Sequence, residues 1–246
     1  MKKRVDILLT ERGLCESREK AQRLILAGKV RIGSDRMIMK SSEKYPEDTE
    51  FNIAKSVQYV SRGAYKLLPA LDKYLPDLTG LVAADIGAST GGFTDLMLQR
   101  GVEKVYCIDS GRGQLHGKLR DNPKVLCHEK TNARYLPEDF FNEELDVMTM
   151  DVSFISVTLL LGALCQFLKE GAVAFILIKP QFEAERADVG KGGVVRDTQI
   201  HDKVIDKVVL YAETECSMKT MEIIPSPIKG PKGNQEFIAV FKLLPC

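Results

Sequence analysis

The sequence predicts an α/β fold in which a mostly parallel, seven-stranded sheet follows a small N-terminal α+β domain. From about residue 80 onward, apolar runs alternate with helical patterns. Near-continuous apolar strands of this kind are typical of a parallel sheet that is covered on both faces. The first 60 residues lack this alternation and are strongly basic. A length of 246 residues, 44% of them hydrophobic, is enough for one or two domains.

The N-terminal region is set apart by its charge. Residues 1–40 contain 11 Lys and Arg against 5 Asp and Glu, a net charge of +6, whereas the remainder contains 24 against 29, a net charge of −5. A basic module on an otherwise ordinary body favours binding to a polyanion, although a solvated charged helix would give the same composition. The candidate contact residues are the cations Lys3, Arg4, Arg18, Lys20, Arg23 and Lys29.

Short elements are predicted in this basic region. SREKAQRLILAG (17–28) places Ala21, Leu24 and Ile25 on one face and begins with Ser17, which predicts a helix with a serine N-cap. VRIG, MIMK and FNIA predict short strands. VQYVSRGAYKL then connects this module to a second helix.

The elements of the larger region follow in order along the chain. Its strands are predicted at LVAADI, KVYCID, KVLCH, LDVMTMD and AVAFILIK. Its helices are predicted at about 91–100, 112–119, 154–169 and 197–214. Two last apolar runs, KTMEIIP and EFIAVFKLL, have no helix between them and predict an antiparallel hairpin at one edge of the sheet. Five βα units followed by such a hairpin are the ground plan of a Rossmann-like class I methyltransferase.

Several classes of protein are disfavoured by composition. The six cysteines form no CxxC or zinc spacing and the three histidines are far apart in sequence, so we expect free thiols and no metal site. No run approaches the roughly 18 apolar residues that a membrane helix needs. We therefore expect a cytoplasmic protein without a membrane partner. The expected domain limits are 1–58 for the basic domain, 59–64 for a linker and 65–246 for the larger domain.

The turn DIGASTGGFTD (85–95) predicts a ligand site between a strand and a helix. Its order of residues lacks the second glycine of the dinucleotide fingerprint, which disfavours a nicotinamide oxidoreductase, and there is no P-loop GK[ST]. Asp109 follows Gly87 by 22 residues, close to the spacing of an acid that binds ribose hydroxyls. A ligand with an adenosine but no pyrophosphate fits this pattern, and we expect S-adenosylmethionine.

Each part of the cofactor has a candidate partner. We expect Gly87, Ser89 and Gly91 to approach its methionine end and Asp109 to bind its ribose. Asn132, after the third strand, is the candidate for contact with adenine. The candidate set also includes Asp85, whose alternative role is to brace the turn.

Polar residues also end the other apolar strands. Asp151 ends the fourth strand and Lys179 the fifth, and the carboxyl ends of such strands meet at one edge of the sheet. A lysine that ends an apolar strand beside a carboxylate is costly unless it is paired. A purely structural ion pair is the competing explanation of this pattern. Lys66 and Glu236 would complete a constellation of four.

The chain resembles the TlyA/haemolysin A family of RNA 2′-O-methyltransferases from end to end. The resemblance is carried by VSRGAYKL, DIGASTGGFTD, DSGRGQL, TNAR, MDVSFIS, KPQFE, VGKGGVVRD and PSPIKGPKGN, which occur in the family's order. It implies an S4-type RNA-binding domain over the first 60 residues and an FtsJ-like methyltransferase domain after it. The family's catalytic Lys-Asp-Lys-Glu tetrad falls on Lys66, Asp151, Lys179 and Glu236. Where better-known members have Trp in the connector and His before the first tetrad lysine, this chain has Tyr59 and Tyr65.

The resemblance also implies a substrate. The expected reaction is methyl transfer from S-adenosylmethionine to cytidine ribose in ribosomal RNA or ribosomal subunits, with Lys179 contacting the 2′-hydroxyl as base or steering group. A membrane-active haemolysin and a non-catalytic RNA-binding protein are the alternatives. The glycine-rich segment 181–197 is either a lid or RNA clamp or a long surface loop.

Overall fold

The chain folds into two compact units. A computed structural model describes it in four stretches, 2–26, 29–33, 36–53 and 59–245, apart from the side chain of Pro231. The units are Met1–Gln58 and Tyr59–Cys246. The expected domain boundary after residue 58 adjoins segment 54–58, outside the described residues, so the limits of the linker stay a prediction. The last residues of the predicted 17–28 helix and FNIA strand also lie outside them.

The first unit combines two helices with two small antiparallel sheets. Its elements are β1 Lys2–Arg4, α1 Val5–Glu11, α2 Arg18–Leu26, β2 Val30–Ile32, β3 Arg36–Met37, β4 Lys44–Pro46 and β5 Phe51–Ile53. Strand β1 pairs with β4, and β2 lies between β3 and β5. At the start of α2, the Ser17 hydroxyl accepts a hydrogen bond from the Lys20 backbone N–H at 3.2 Å, which is the predicted cap.

The second unit is the α/β domain. Its helices are α3 Ala64–Tyr74, α4 Gly92–Gln99, α5 Gly117–Arg120, α6 Thr158–Leu164, α7 Pro180–Glu183 and α8 Thr198–Glu215. Its strands are β6 Val82–Ile86, β7 Lys104–Ile108, β8 Val125–His128, β9 Leu145–Met150, β10 Leu168–Ile178, β11 Met218–Pro225 and β12 Phe237–Leu243. The strand order is β11-β12-β10-β9-β6-β7-β8.

The sheet has the predicted composition, seven strands of which five run parallel from β6 to β10. Strand β12 is antiparallel to both of its neighbours, because the final hairpin inserts it between β10 and β11. Two predicted helices are shorter than expected: α5 spans four residues, and α6 gives way to a 3-10 turn at Cys165–Phe167. Apolar residues bury both faces of the sheet, as continuous apolar strands require.

The topology places a crevice at the centre of the sheet. The chain leaves β6 toward β7 and β8 on one side and returns to β9 and β10 on the other, so the order reverses between β6 and β9. Ligands of open α/β sheets bind outside the carboxyl ends of the strands at such a point. Within the described stretches, each helix is too short or too polar to cross a bilayer.

Candidate active site

The four predicted catalytic side chains lie together beside this crevice. Lys66 comes from α3, Asp151 follows β9, Lys179 follows β10, and Glu236 precedes β12. Lys66 Nζ lies 2.8 Å from Glu236 Oε2 and 3.4 Å from Asp151 Oδ2. Lys179 Nζ lies 2.5 Å from Asp151 Oδ1. Asp151 therefore bridges the two lysines, and the four side chains form one continuous network.

Charge balance explains how this network tolerates burial. The Glu236 side chain is fully buried, and those of Lys179 and Lys66 are 8% and 12% exposed. Two cations and two anions sum to zero, so no charge is left buried without a counter-ion. Burial opposes the ammonium form of Lys66, but the carboxylates of Asp151 and Glu236 outweigh it and raise the pKa of Lys66. Lys66 thus lies between two carboxylates that favour its charged form.

The network forms part of the lining of a cavity of about 850 Å³, the larger cavity. Ser153, which sequence reasoning missed, accepts a hydrogen bond from Lys179 Nζ at 2.9 Å. Phe154 also lines this cavity and is 91% exposed. Its ring centroid lies 5.1 Å from that of Phe182, and its backbone has φ +67°. Gln181 Oε1 is buried there without a hydrogen-bond partner among the described residues. The sequence could have indicated Ser153, because it lies two residues after Asp151 at the end of the same strand.

The glycine-rich turn brings backbone close to the end of β9. Gly87 has φ +77°, and a Cβ there would lie 2.7 Å from the Asp151 carbonyl oxygen. Gly91, at φ +92°, is the N-cap of α4, and a Cβ there would overlap Leu119 Cδ1. Both positions have a left-handed backbone that favours glycine, and at Gly87 the neighbour is backbone, which cannot move aside as a leucine methyl group can.

The hydrogen bonds of Asp85 fit its alternative role, bracing the turn. Its carboxylate is 1% exposed and accepts hydrogen bonds from the Thr94 N–H at 3.0 Å, the Thr94 hydroxyl at 2.6 Å and the Thr149 hydroxyl at 2.9 Å. It thus ties β6 to the first turn of α4 and to β9. Burial raises the pKa of Asp85 to about 6, against the opposing effect of these hydrogen bonds.

A second cavity of about 320 Å³, the smaller cavity, adjoins the first. Asp109 lines it and accepts hydrogen bonds from the Ser89 N–H at 2.8 Å and the Gly111 N–H at 2.7 Å. Asn132 also lines it, with Oδ1 accepting from the Arg134 N–H at 3.1 Å. The predicted ribose and adenine contacts therefore share one cavity.

The two cavities share part of their lining. The residues that line both are Gly87, Ser89, Asp151, Ser153 and Phe154. A ligand in the smaller cavity would therefore reach toward Asp151, and a second reactant in the larger cavity would meet it there. The arrangement suits transfer of a group between two bound molecules. No group of three or more His, Cys, Asp or Glu side chains in the described stretches is arranged to hold a metal ion.

Most of the predicted RNA-contacting cations of the first unit are held by carboxylates. Lys3 pairs with Glu11 at 3.0 Å and Lys20 with Glu16 at 2.8 Å. Arg23 is exposed and Lys29 is half-buried. Neither has an ion pair with any residue that the structure describes.

Arg4 and Arg18 share the buried carboxylate of Asp6. Their distances to Asp6 Oδ2 are 2.9 and 3.2 Å, and Gln22 Nε2 donates to the same oxygen at 2.8 Å. Although burial opposes ionisation, these hydrogen bonds hold the pKa of Asp6 below its usual range. Asp6 therefore fixes two half-exposed guanidinium groups relative to each other. Charge counting had not indicated this anchor.

The two tyrosines Tyr59 and Tyr65 contact each other. Tyr59 is 5% exposed, and its ring centroid lies 5.5 Å from that of Tyr65 in an edge arrangement. Val60 N–H donates to Asp95 Oδ2 at 2.7 Å. Tyr59 and Val60, both in the expected linker, therefore belong to the second unit, and Val60 is hydrogen-bonded to helix α4.

The fold and site define a Rossmann-like class I methyltransferase with an additional N-terminal domain. The model of the FtsJ-like methyltransferase family matches residues 59–243, and the model of the S4 domain matches residues 3–34. The chain belongs to the FtsJ-like methyltransferase family.

Relatives match nearly the whole chain. The 16S/23S rRNA (cytidine-2′-O)-methyltransferase TlyA of Mycobacterium tuberculosis is 39% identical over 236 residues, which are 95% of this chain and 87% of the relative. Hemolysin A of Brachyspira hyodysenteriae is 39% identical over 239 residues, covering 97% and 99% of the two chains. A Streptococcus thermophilus protein solved under a hemolysin name is 41% identical, with a TM-score of 0.75 over 99% of this chain and 89% of that one.

Proposed function

We propose that this protein methylates the 2′-hydroxyl of cytidine ribose in ribosomal RNA, with S-adenosylmethionine as the methyl donor. The observation that carries the proposal is the Lys66–Asp151–Lys179–Glu236 network in the larger cavity, directly beside the crevice between β6 and β9. The TlyA relative is named for this reaction. The same proposal places the protein in the cytoplasm, where it acts on ribosomes or on their RNA.

The residues around the smaller cavity fit S-adenosylmethionine. Gly87 leaves room where a Cβ would collide with the Asp151 backbone, and Asp109 offers carboxylate oxygens for ribose hydroxyls. Asn132 supplies an amide in the same cavity for adenine. Asp85 would support the cofactor indirectly, by bracing the turn. When bound, this cofactor supplies an electrophilic methyl group on a positively charged sulfur.

Lys179 and Asp151 act on the nucleophile. Lys179 Nζ is already directed at Asp151 and Ser153, which leaves one of its three donors for the 2′-oxygen. In the ion pair its ammonium group steers that oxygen and stabilises charge that develops on it. The proton of the 2′-hydroxyl passes to the Lys179–Asp151 pair, whose basic member is the carboxylate. Lys66 holds Asp151 from the other side, Glu236 holds Lys66, and this pair positions the ribose.

RNA is the substrate that this chemistry requires, because the 2′-hydroxyl distinguishes RNA from DNA. The S4 domain supplies affinity for phosphates through Lys3, Arg4, Arg18, Lys20, Arg23 and Lys29. Such affinity is independent of sequence and falls steeply with salt. The catalytic domain then selects the ribose that reaches the larger cavity.

The test is transfer of labelled methyl from S-adenosylmethionine to separate ribosomal subunits, followed by mapping of the modified nucleotide. Lys179→Ala should abolish transfer, and its affinity for S-adenosylmethionine, measured by calorimetry, should stay within a few-fold of the unmodified protein. Lys203→Ala is the matched control, because that side chain is 62% exposed and lies 3.9 Å from its nearest carboxylates. Near-normal turnover by Lys179→Ala would refute the assignment.

A further inference from the structure

Two loops form one side of the larger cavity, and a single buried amide joins them. The first loop spans residues 189–196 and the second 226–235, and both contribute residues to the cavity. Asn234 lies in the second loop and is 2% exposed. Its Oδ1 accepts a hydrogen bond from the Val195 N–H at 3.0 Å, and its Nδ2 donates to the Gly193 carbonyl at 2.9 Å. Both halves of the amide are thus directed at the first loop.

Each loop has its own internal order, so the amide connects two defined structures. In the first loop, Gly190 N–H donates to the Val194 carbonyl at 3.1 Å, and Val195 is 3% exposed. In the second loop, Gly230 N–H donates to the Asn234 carbonyl at 2.9 Å. The ring of His201, on α8, lies with Nε2 3.1 Å from the Val195 carbonyl oxygen. The joined loops are therefore attached to the body of the domain through α8.

The second loop leads directly into the catalytic network and carries free positive charge. Glu236 follows Asn234 by two residues and lies 2.8 Å from Lys66. Lys229 and Lys232 are exposed, line the larger cavity and make no ion pair with a described residue. Lys232 also has φ +62°, a left-handed backbone that is unfavourable for a residue other than glycine. Strain of this kind persists where the surrounding structure fixes it and clusters at functional sites.

We propose that Asn234 is a positioning residue that fastens the two loops into one wall of the larger cavity. This wall holds Lys229 and Lys232 against the phosphates that flank the target ribose, and it holds Glu236 against Lys66. The inference rests on the proposed function for the identity of the polyanion. The fastening itself is a property of the protein alone, so the two can fail separately.

The first measurement is hydrogen exchange on the full chain without RNA. In Asn234→Ala the Val195 N–H loses its acceptor, and exchange in residues 189–196 should accelerate about tenfold or more, as expected for the loss of two hydrogen bonds. Asn234→Asp keeps an acceptor for the Val195 N–H but places a carboxylate against the Gly193 carbonyl, so it should show a similar acceleration with the fold retained. Asn122→Ala is the matched control, since Asn122 caps a turn away from the cavity by accepting from the Lys124 N–H at 2.9 Å. Unchanged exchange in both Asn234 variants would overturn the proposal.

The second measurement is steady-state methylation of ribosomal RNA. Asn234→Ala should raise KM for RNA about tenfold and lower kcat, while the Kd for S-adenosylmethionine stays within twofold. The double variant Lys229→Ala/Lys232→Ala should raise KM for RNA and weaken its salt dependence without changing exchange of the loops. Accelerated exchange with an unchanged KM for RNA would refute the role in RNA positioning. An unmodified protein that methylates no RNA would refute the proposed function and leave the exchange result standing.

Discussion

Replacing Gly87 with alanine tests whether the turn before α4 sets the position of Asp151, the predicted catalytic aspartate. At φ +77° an alanine costs about 1–2 kcal/mol from the left-handed backbone alone. Its Cβ would lie 2.7 Å from the Asp151 carbonyl oxygen and 3.0 Å from Val152 Cγ1. Since carbon–oxygen contacts are about 3.3–3.6 Å, the end of β9 must retreat by roughly 0.6 Å or more. Overpacking of this kind costs about 1–3 kcal/mol more, for a total loss of about 2–5 kcal/mol.

Gly80→Ala is the matched control for this variant. Gly80 has nearly the same backbone, φ +75°, but a Cβ there would have no neighbour within 4 Å. Urea denaturation should therefore show the larger loss for Gly87→Ala, and the difference between the two variants isolates the contact with β9. Methyl transfer should fall about tenfold or more only in Gly87→Ala, because small misplacements of reacting groups reduce rates strongly. Equal losses of stability, or wild-type turnover in Gly87→Ala, would refute this reasoning.

Two further predictions concern buried carboxylates. The pKa of Asp85 is raised from 3.8 to about 6, so its contribution to stability is fully present below pH 3.8 and is lost as the pH rises through 6, a change of about 3 kcal/mol. Urea denaturation of Asp85→Asn between pH 4 and 7 should lack this dependence, and a parallel pH profile for the unmodified protein and the variant would contradict it. Asp6→Ala should destabilise the first unit by about 1–3 kcal/mol, because its guanidinium partners lose a buried anchor. Hydrogen exchange should accelerate in the first unit and not in residues 59–245, and uniform acceleration across the chain would contradict this.

The fold of the larger domain was predictable because its strands are buried on both faces. Runs such as LDVMTMD and AVAFILIK cannot be mistaken for half-exposed strands, and the polar residue that ends each run marks the edge where a ligand binds. Asp151 and Lys179 could therefore be found from the pattern. Lys66 lies on a helix and Glu236 precedes an antiparallel strand. Neither therefore ends a parallel strand, which is the position that marks a ligand site in such sheets. They could be named only as candidates, and the resemblance to a family assigned them to the same site.

The smaller unit was less predictable because its elements are short. Helix α1 has seven residues and β1, β2 and β4 have three each, lengths at which the periodicity of apolar residues is not decisive. The charge of the unit was evident from composition, but composition does not show which cations are bound to carboxylates. Asp6 is the decisive example, because nothing in the sequence distinguishes it from the other four acids of residues 1–40, yet it is buried and paired with two arginines.

The order of the strands determines which functions can be separated by mutation. Strand β9 adjoins β6, so Asp151 borders the smaller cavity as well as the larger one. Lys179 lies one strand further out and borders the larger cavity alone. A change at Asp151 should therefore disturb cofactor binding and catalysis together, whereas a change at Lys179 should affect catalysis alone. The topology thus makes Lys179, rather than the central aspartate, the residue at which the chemistry of the site can be tested in isolation.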